Sequence, residues 1–280
     1  GGASGIGFAL AKGALARGAQ VVIADIRDAA LAEAEEKLGG DVLAVRTDVT
    51  CYADVESLAQ ATIDRFGKVN LVFNNAGVFA SGVTWNISVE EYHWVIDVNL
   101  KSVIYGIKAF VPRMIAQGDE CHVINTASGA GITVNPGFAT YSLTKHAVVA
   151  LSEALYLDLQ SQGVPNIGVT LVMPGVVQSG IMFPEKTGPA ALQKELAARH
   201  GNATLGAVEA FMRHAVDTGL PADEMADMVY AAIAGKELYV LPNFTDETSL
   251  TMSQAIAVGR ATGQNHYPAI LAGLLENVSK

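Results

Sequence analysis

Tyr141 and Lys145 stand four residues apart in Tyr-Ser-Leu-Thr-Lys, a spacing that puts both side chains on one face of a helix. A lysine ammonium beside a phenol favours the phenolate and draws its pKa down from about 10. The pair is therefore a candidate proton donor and acceptor near neutral pH. Alone, Tyr-x-x-x-Lys is a common surface pattern, and its setting is what gives it weight. Ser128 precedes Tyr141 by thirteen residues and follows the apolar run 122–126. Asn99 lies in Asp97-Val98-Asn99 within a helix-like stretch. Asn74-Asn75-Ala76-Gly77, Asp48-Val49 and Pro174-Gly175-Val176-Val177-Gln178-Ser179 each follow another apolar run. Polar groups thus recur at the carboxyl ends of predicted strands, the edge where open parallel sheets bind ligands.

A second constellation opens the chain. Gly1, Gly5 and Gly7 punctuate Gly-Gly-Ala-Ser-Gly-Ile-Gly, with Ser4 and Ile6 between them, and a helical pattern starts there. Such a turn lets the backbone approach a pyrophosphate, and the helix N-terminus then offers free N–H groups and its positive dipole end. A glycine-rich turn by itself is a weak signal. Asp25 strengthens it: it ends the next apolar run, twenty residues after Gly5, where a carboxylate can accept hydrogen bonds from adenosine ribose hydroxyls. The same carboxylate would repel a 2′-phosphate, so NAD is expected and NADP is disfavoured. Arg27 leaves the NADP reading open.

These residues need a scaffold, and the pattern supplies one. Candidate strands at 20–25, 42–47, 71–74, 122–126, 168–173 and 238–241 lack polar alternation, as strands covered on both faces do. Helix-like stretches at 5–17, 28–38, 54–66, 89–116, 141–160 and 222–234 fall between them. The alternation predicts an α/β fold, a Rossmann-type doubly wound parallel sheet with right-handed crossovers. No repeat or low-complexity linker divides it, so 1–280 reads as a single domain. Two segments break the rhythm. The stretch 179–221, with Pro184, Gly188, Pro189, Gly201 and Gly206, follows a strand end and reads as a substrate lid. The extension 243–280 reads as partly helical.

Composition narrows the partners. Half of the 280 residues are hydrophobic and 16% are charged, with a net charge of −10. An acidic chain is a poor partner for nucleic acid or an anionic membrane. No run is long and apolar enough to span a bilayer. The two cysteines, Cys51 and Cys121, have no paired spacing, and the six histidines are scattered. Neither a disulfide framework nor a catalytic metal is expected, and a reducing, cytoplasmic setting fits best.

In order and spacing, G-x-x-x-G-I-G, N-N-A-G, the serine, Y-x-x-x-K and P-G resemble the short-chain dehydrogenase/reductase family over 1–241. The resemblance implies an NAD-dependent oxidoreductase that interconverts a secondary alcohol and a ketone. It implies Tyr141 as the acid/base and Ser128 as the hydrogen-bond partner of the substrate oxygen. Lys145 would hold the nicotinamide ribose and lower the Tyr141 pKa. Asn99 would position Lys145 through a water and complete a proton relay. Asp48 and Val49 would flank the adenine, and Asn75, Ala76 and Gly77 would line the cofactor trough. Val177 would meet the carboxamide, and Ser179 stands where the family often has threonine. The family also implies a homodimer or homotetramer built through the long helices 89–116 and 141–160.

One departure stands out: the family begins with a strand ahead of the glycine turn, and this sequence begins at the turn. The expectation is an N-terminally incomplete sheet, with two strands unpaired and the core open between them. The substrate is expected to be bulky and apolar or aromatic, against Phe79, Trp85, Ile132, Phe138, Met182, Phe183, Phe211 and Met212. Met-Pro-Gly at 173–175, the lid and the tail also resemble bacterial Cα-dehydrogenases of aryl alcohols. The alternatives are an NADP-linked carbonyl reductase and a non-catalytic NAD(H) sensor.

Overall fold

The computed structural model describes residues 1–183, 188–193, 210, 212–242 and 247–269. Much of the predicted lid, including Phe211, and parts of the tail lie outside these. Strands and helices alternate along the chain as the pattern predicts: α1 (Gly5–Ala16), β1 (Val21–Asp25), α2 (Asp28–Leu38), β2 (Val42–Arg46), α3 (Tyr52–Phe66) and β3 (Leu71–Asn74) come first. Then follow α4 (Val89–Ile96), α5 (Ser102–Gln117), β4 (Cys121–Thr126), α6 (Ala139–Ser161) and β5 (Ile167–Val172). The order closes with α7 (Ala222–Gly235), β6 (Tyr239–Val240) and α8 (Glu247–Thr262).

Every strand pairing is parallel, as required when each crossover is a helix. β1 pairs with β2, and β3, β4, β5 and β6 pair in that order. β4 sits inside the sheet with all six residues buried, so both of its faces are apolar except where a side chain has work to do. α1 and α7 cover one side through Leu10, Ala14, Met225 and Val229; α3 and α5 cover the other through Val55, Ala59, Ala109 and Met114.

The ladder is interrupted between β1 and β3. A cleft of about 580 Å³ lies there, walled by Val21, Ile23, Val72, Asn74, Gly106 and Phe110 among others. The main chain of Gly1 and Gly2 reaches β1 only at its end, each donating to the Ala24 carbonyl at 2.7 and 2.8 Å. Gly1, Gly7, Asn75 and Ala76 also line this cleft, so it adjoins the glycine turn.

One predicted element needs correction. The stretch 89–116 is not one continuous α-helix: a π-helical turn over Asp97–Lys101 separates α4 from α5. Such turns insert an extra residue into the helical ladder and gather at functional sites. Here the turn carries Asn99, which is fully buried. Among the described residues no helix is long and apolar enough to cross a membrane.

Candidate active site

The glycine turn is built as a phosphate cradle. Gly5 has φ +53°, a left-handed conformation that side chains avoid. A Cβ on Gly7 would run into the Gly1 carbonyl oxygen. Ser4 begins α1 without a side-chain cap bond, and the first turn holds no acidic residue. The first N–H groups of α1, Ile6 among them, are thus left to an anion. Ser179 closes the cradle from across the sheet: a Cβ on Gly5 would lie 3.2 Å from Ser179 Cβ.

Asp25 ends β1 beside this turn and is 4% exposed. Its carboxylate accepts from the Arg27 backbone N–H and Nε, both at 3.1 Å, and from Nη2 at 3.3 Å. Burial alone would push this carboxyl up. The Arg27 hydrogen bonds and charge work against burial, and the carboxyl lies below the ordinary carboxylate value. Arg27 Nη2 also donates to Ser4 Oγ at 3.0 Å, so the guanidinium spans the gap between the acid and the turn. Asp48 is occupied locally, accepting from Thr50 N–H and Oγ1 at 2.9 and 2.7 Å. Its neighbour Val49 faces the cleft. Asn75 donates to the Gly1 carbonyl at 3.4 Å, and Ala76 packs against Gly1. Val177 is buried and bridges Leu220, which ties the end of the lid to the segment after β5. Gly5, Gly7, Asp25 and the open helix end together fit a dinucleotide.

The second group lies where β3 and β4 end beneath α6. Lys145 is 2% exposed, and its Nζ donates to the Thr126 carbonyl at 2.9 Å. Burial brings its pKa down to about 8. The ammonium lies 5.5 Å from the centre of the Tyr141 ring. Burial pushes the Tyr141 phenol up, and a hydrogen bond with Ser128 pulls it back in part. The net direction is up, opposite to the lowering that the Tyr-x-x-x-Lys spacing led us to expect, because burial prevails. Ser128 begins a short 3-10 turn, where its Oγ accepts from Ala130 N–H at 3.2 Å. A Cβ on Gly77 would lie 3.5 Å from both Lys145 Nζ and Asn99 Oδ1, so the glycine keeps open the space between them.

Asn99 does something the sequence did not reveal. Its Oδ1 accepts from Val78 N–H at 2.8 Å, and its Nδ2 donates to the Val78 carbonyl at 2.9 Å. The Nδ2 also donates to Thr144 Oγ1 at 3.2 Å, and that hydroxyl donates to the Tyr141 carbonyl at 2.9 Å. The carboxamide is therefore a clamp on the segment after β3 and on the first turn of α6. No sequence signal marks it, because its partners, the Val78 backbone and the Thr144 hydroxyl, are brought to it only by the fold.

Around Tyr141 the walls are apolar. Phe79, Phe138, Met182 and Val216 are buried together, with Val176, Ile181 and Met212 packed against them. Phe183 lies outside this cluster and stacks under Arg213, whose guanidinium carbon is 4.6 Å from the ring centre. Two other expected wall residues are elsewhere. Trp85 is 83% exposed, and Ile132 packs with Ala127, Val148 and Leu171 in the core beneath.

The family model described as short chain dehydrogenase matches residues 1–188. The chain belongs to this family. It is therefore an oxidoreductase of the kind that acts on alcohol and carbonyl groups. A 1-deoxy-11-beta-hydroxypentalenate dehydrogenase from Streptomyces avermitilis is 36% identical over 255 residues, 89% of this chain and 85% of the relative. A short-chain dehydrogenase/reductase from Burkholderia phymatum, solved in complex with NAD, is 36% identical with a TM-score of 0.88, covering 95% of this chain and 93% of its own. The apo form of LigO from Sphingobium sp. strain SYK-6 is 27% identical with a TM-score of 0.72, covering 99% and 92%.

Proposed function

We propose that this short-chain dehydrogenase interconverts a bulky apolar or aromatic secondary alcohol and its ketone with NAD(H), using Tyr141 as the acid/base. The observation that carries the proposal is the Tyr141 ring packed against an apolar cluster, with the Lys145 ammonium 5.5 Å from its centre. The cradle at 1–7 and Asp25 would hold the pyrophosphate and the adenosine ribose. The relative solved with NAD favours that cofactor, and the relative named as a hydroxypentalenate dehydrogenase favours an alcohol as the reacting group.

Bound nicotinamide supplies the carbon that takes or gives the hydride. The rest falls to the chain. In alcohol oxidation the Tyr141 phenolate takes the hydroxyl proton as the C–H bond gives up its hydride, and the C–O bond becomes a carbonyl. In reduction the Tyr141 O–H returns that proton to the carbonyl oxygen. Ser128 donates to the same oxygen and offsets the charge that develops on it. Lys145 would hold the nicotinamide ribose and favour the phenolate. Asn99 fixes the first turn of α6 from which Tyr141 projects. Because burial holds the phenol protonated, the site is ready as an acid, and oxidation is expected to speed up as pH rises.

The protein would act as a homo-oligomer. Leu143, Ala147, Ala150, Ala154 and Leu157 form an apolar stripe along α6, with Leu143 51% and Leu157 64% exposed. The spacing alternates between four and three residues, which is the seam of a packed helix pair. Small residues at its centre permit close approach.

The test is to incubate the protein with NAD⁺ or NADP⁺ and a panel of secondary alcohols graded in size and polarity, and to follow the reduced cofactor. NAD⁺ reduction by apolar members supports the reading. A preference for small polar alcohols contradicts the substrate class. A preference for NADP⁺ makes Arg27 and Ser4 the governing pair and points to carbonyl reduction.

A further inference from the structure

We infer that Phe79 is a positioning residue for the proton-transfer tyrosine, bracing the Tyr141 ring from a segment that the fold ties down on both sides. The inference rests on the reading of Tyr141 as the acid/base. Phe79 is 4% exposed and touches two rings. Its centroid is 5.1 Å from that of Tyr141 with the planes at 67°, and 4.9 Å from that of Phe138 with the planes at 80°. Both are edge-to-face contacts, the arrangement that ring quadrupoles favour. Three rings thus run in a row and end at the reacting phenol.

A brace works only if its own base is fixed. Val78, immediately before Phe79, is held by both of its backbone groups on the Asn99 carboxamide, at 2.8 and 2.9 Å. Ala80, immediately after, accepts at its carbonyl from Thr140 Oγ1 at 3.3 Å. Gly82 donates to the Gly137 carbonyl at 2.8 Å, next to Phe138. The same Asn99 reaches Tyr141 from behind, through Thr144 Oγ1 to the Tyr141 carbonyl. One buried carboxamide therefore sets both the backbone of the tyrosine and the ring that packs against it.

The consequence is specific. A phenol that moves protons must hold its oxygen within hydrogen-bond reach of the substrate, and displacement by about 1 Å can cost about a hundredfold in rate. Phe79 also helps to exclude water, and burial is the leading cause of the raised Tyr141 pKa. Removing the ring should loosen the phenol and let water reach it. Both the rate and the ionisation of Tyr141 should change, while the cofactor cradle, made of other residues, should not.

The experiment uses protein labelled with ¹³C at the tyrosine ring and compares wild type, Phe79→Leu, Phe79→Met and Phe79→Tyr, with Tyr141→Phe to assign the Tyr141 signal. Phe79→Met keeps most of the volume without a ring and serves if Phe79→Leu does not fold. The expected result is a displaced Tyr141 signal and a lower Tyr141 titration midpoint in the Leu or Met variant, with the wild-type signal position regained in Phe79→Tyr. In turnover, kcat should fall about tenfold or more, with the NADH dissociation constant unchanged. A Tyr141 signal and midpoint that ignore the loss of the ring overturn the inference, as does a loss of NADH affinity that matches the loss in kcat. If wild type and Tyr141→Phe turn over alike, the acid/base reading fails, whereas the NMR comparison still decides whether Phe79 braces the ring.

Discussion

Replacing Asp25 by alanine should reverse cofactor choice. Asp25 is almost fully buried beside the glycine turn, and three Arg27 groups donate to it. At about 4 Å and an effective dielectric near 20, its charge would oppose a 2′-phosphate by about 4 kcal/mol. The Arg27 side chain is 43% exposed, so solvent screening limits its compensation to about 1 kcal/mol. The remaining ~3 kcal/mol corresponds to about a hundredfold preference for NADH over NADPH, since about 1.4 kcal/mol is a factor of ten. Asp25→Ala removes the repulsion and frees Arg27. It also deletes charged hydrogen bonds to the ribose worth about 1.5–3 kcal/mol, which should weaken NADH by about tenfold to a hundredfold. Titration of both proteins with NADH and NADPH, followed by fluorescence, measures the four constants. A wild type that prefers NADPH, or a variant that keeps the wild-type ratio, refutes the reasoning.

Acid should destabilise the protein through His122. Its Nε2 is 2.7 Å from Thr170 Oγ1, and that hydroxyl donates to the Glu237 carbonyl at 2.8 Å, so the ring nitrogen is the donor of a buried relay. Burial lowers its pKa from 6.5 to about 4. Between those values the unfolded chain binds the extra proton and the fold does not, so stability falls as pH drops through that window. Denaturant melts of wild type and His122→Asn at several pH values should show a smaller slope in the variant; equal slopes contradict the assignment. Gly5→Ala should cost about 1–2 kcal/mol from its left-handed backbone and weaken NADH binding by pressing on Ser179, read by thermal melts and titration. Placing glutamates at Leu143 and Leu157 should shift the protein to monomer in size-exclusion chromatography with light scattering. Retention of a dimer or tetramer would remove the α6 stripe from the interface.

The parts of this molecule set by local pattern were the most legible. α2 and β3 have the bounds that helical periodicity and an apolar run predicted. What the sequence hid depends on long-range partners. The π turn at 97–101 has no compositional mark, because it is a shift of backbone bonds that tertiary contacts stabilise. Asn99 stood out as a candidate, yet its observed bonds go to the backbone of Val78 and to Thr144. Side-chain type could not reveal those partners. Trp85 looked like a pocket wall because aromatic residues favour burial, but its loop points it into solvent. Phe79 looked like one lining residue among several; only the ring geometry sets it against Tyr141.

The most direct test of the central claim is Tyr141→Phe, which deletes one hydroxyl and leaves the rings in place. Single-turnover rates with NAD⁺ and the best alcohol from the panel should fall by about a hundredfold to ten-thousandfold, the range that a positioned acid or base supplies. NADH affinity and melting temperature should stay at the wild-type values. Undiminished turnover in a folded, NADH-binding Tyr141→Phe protein would contradict the account.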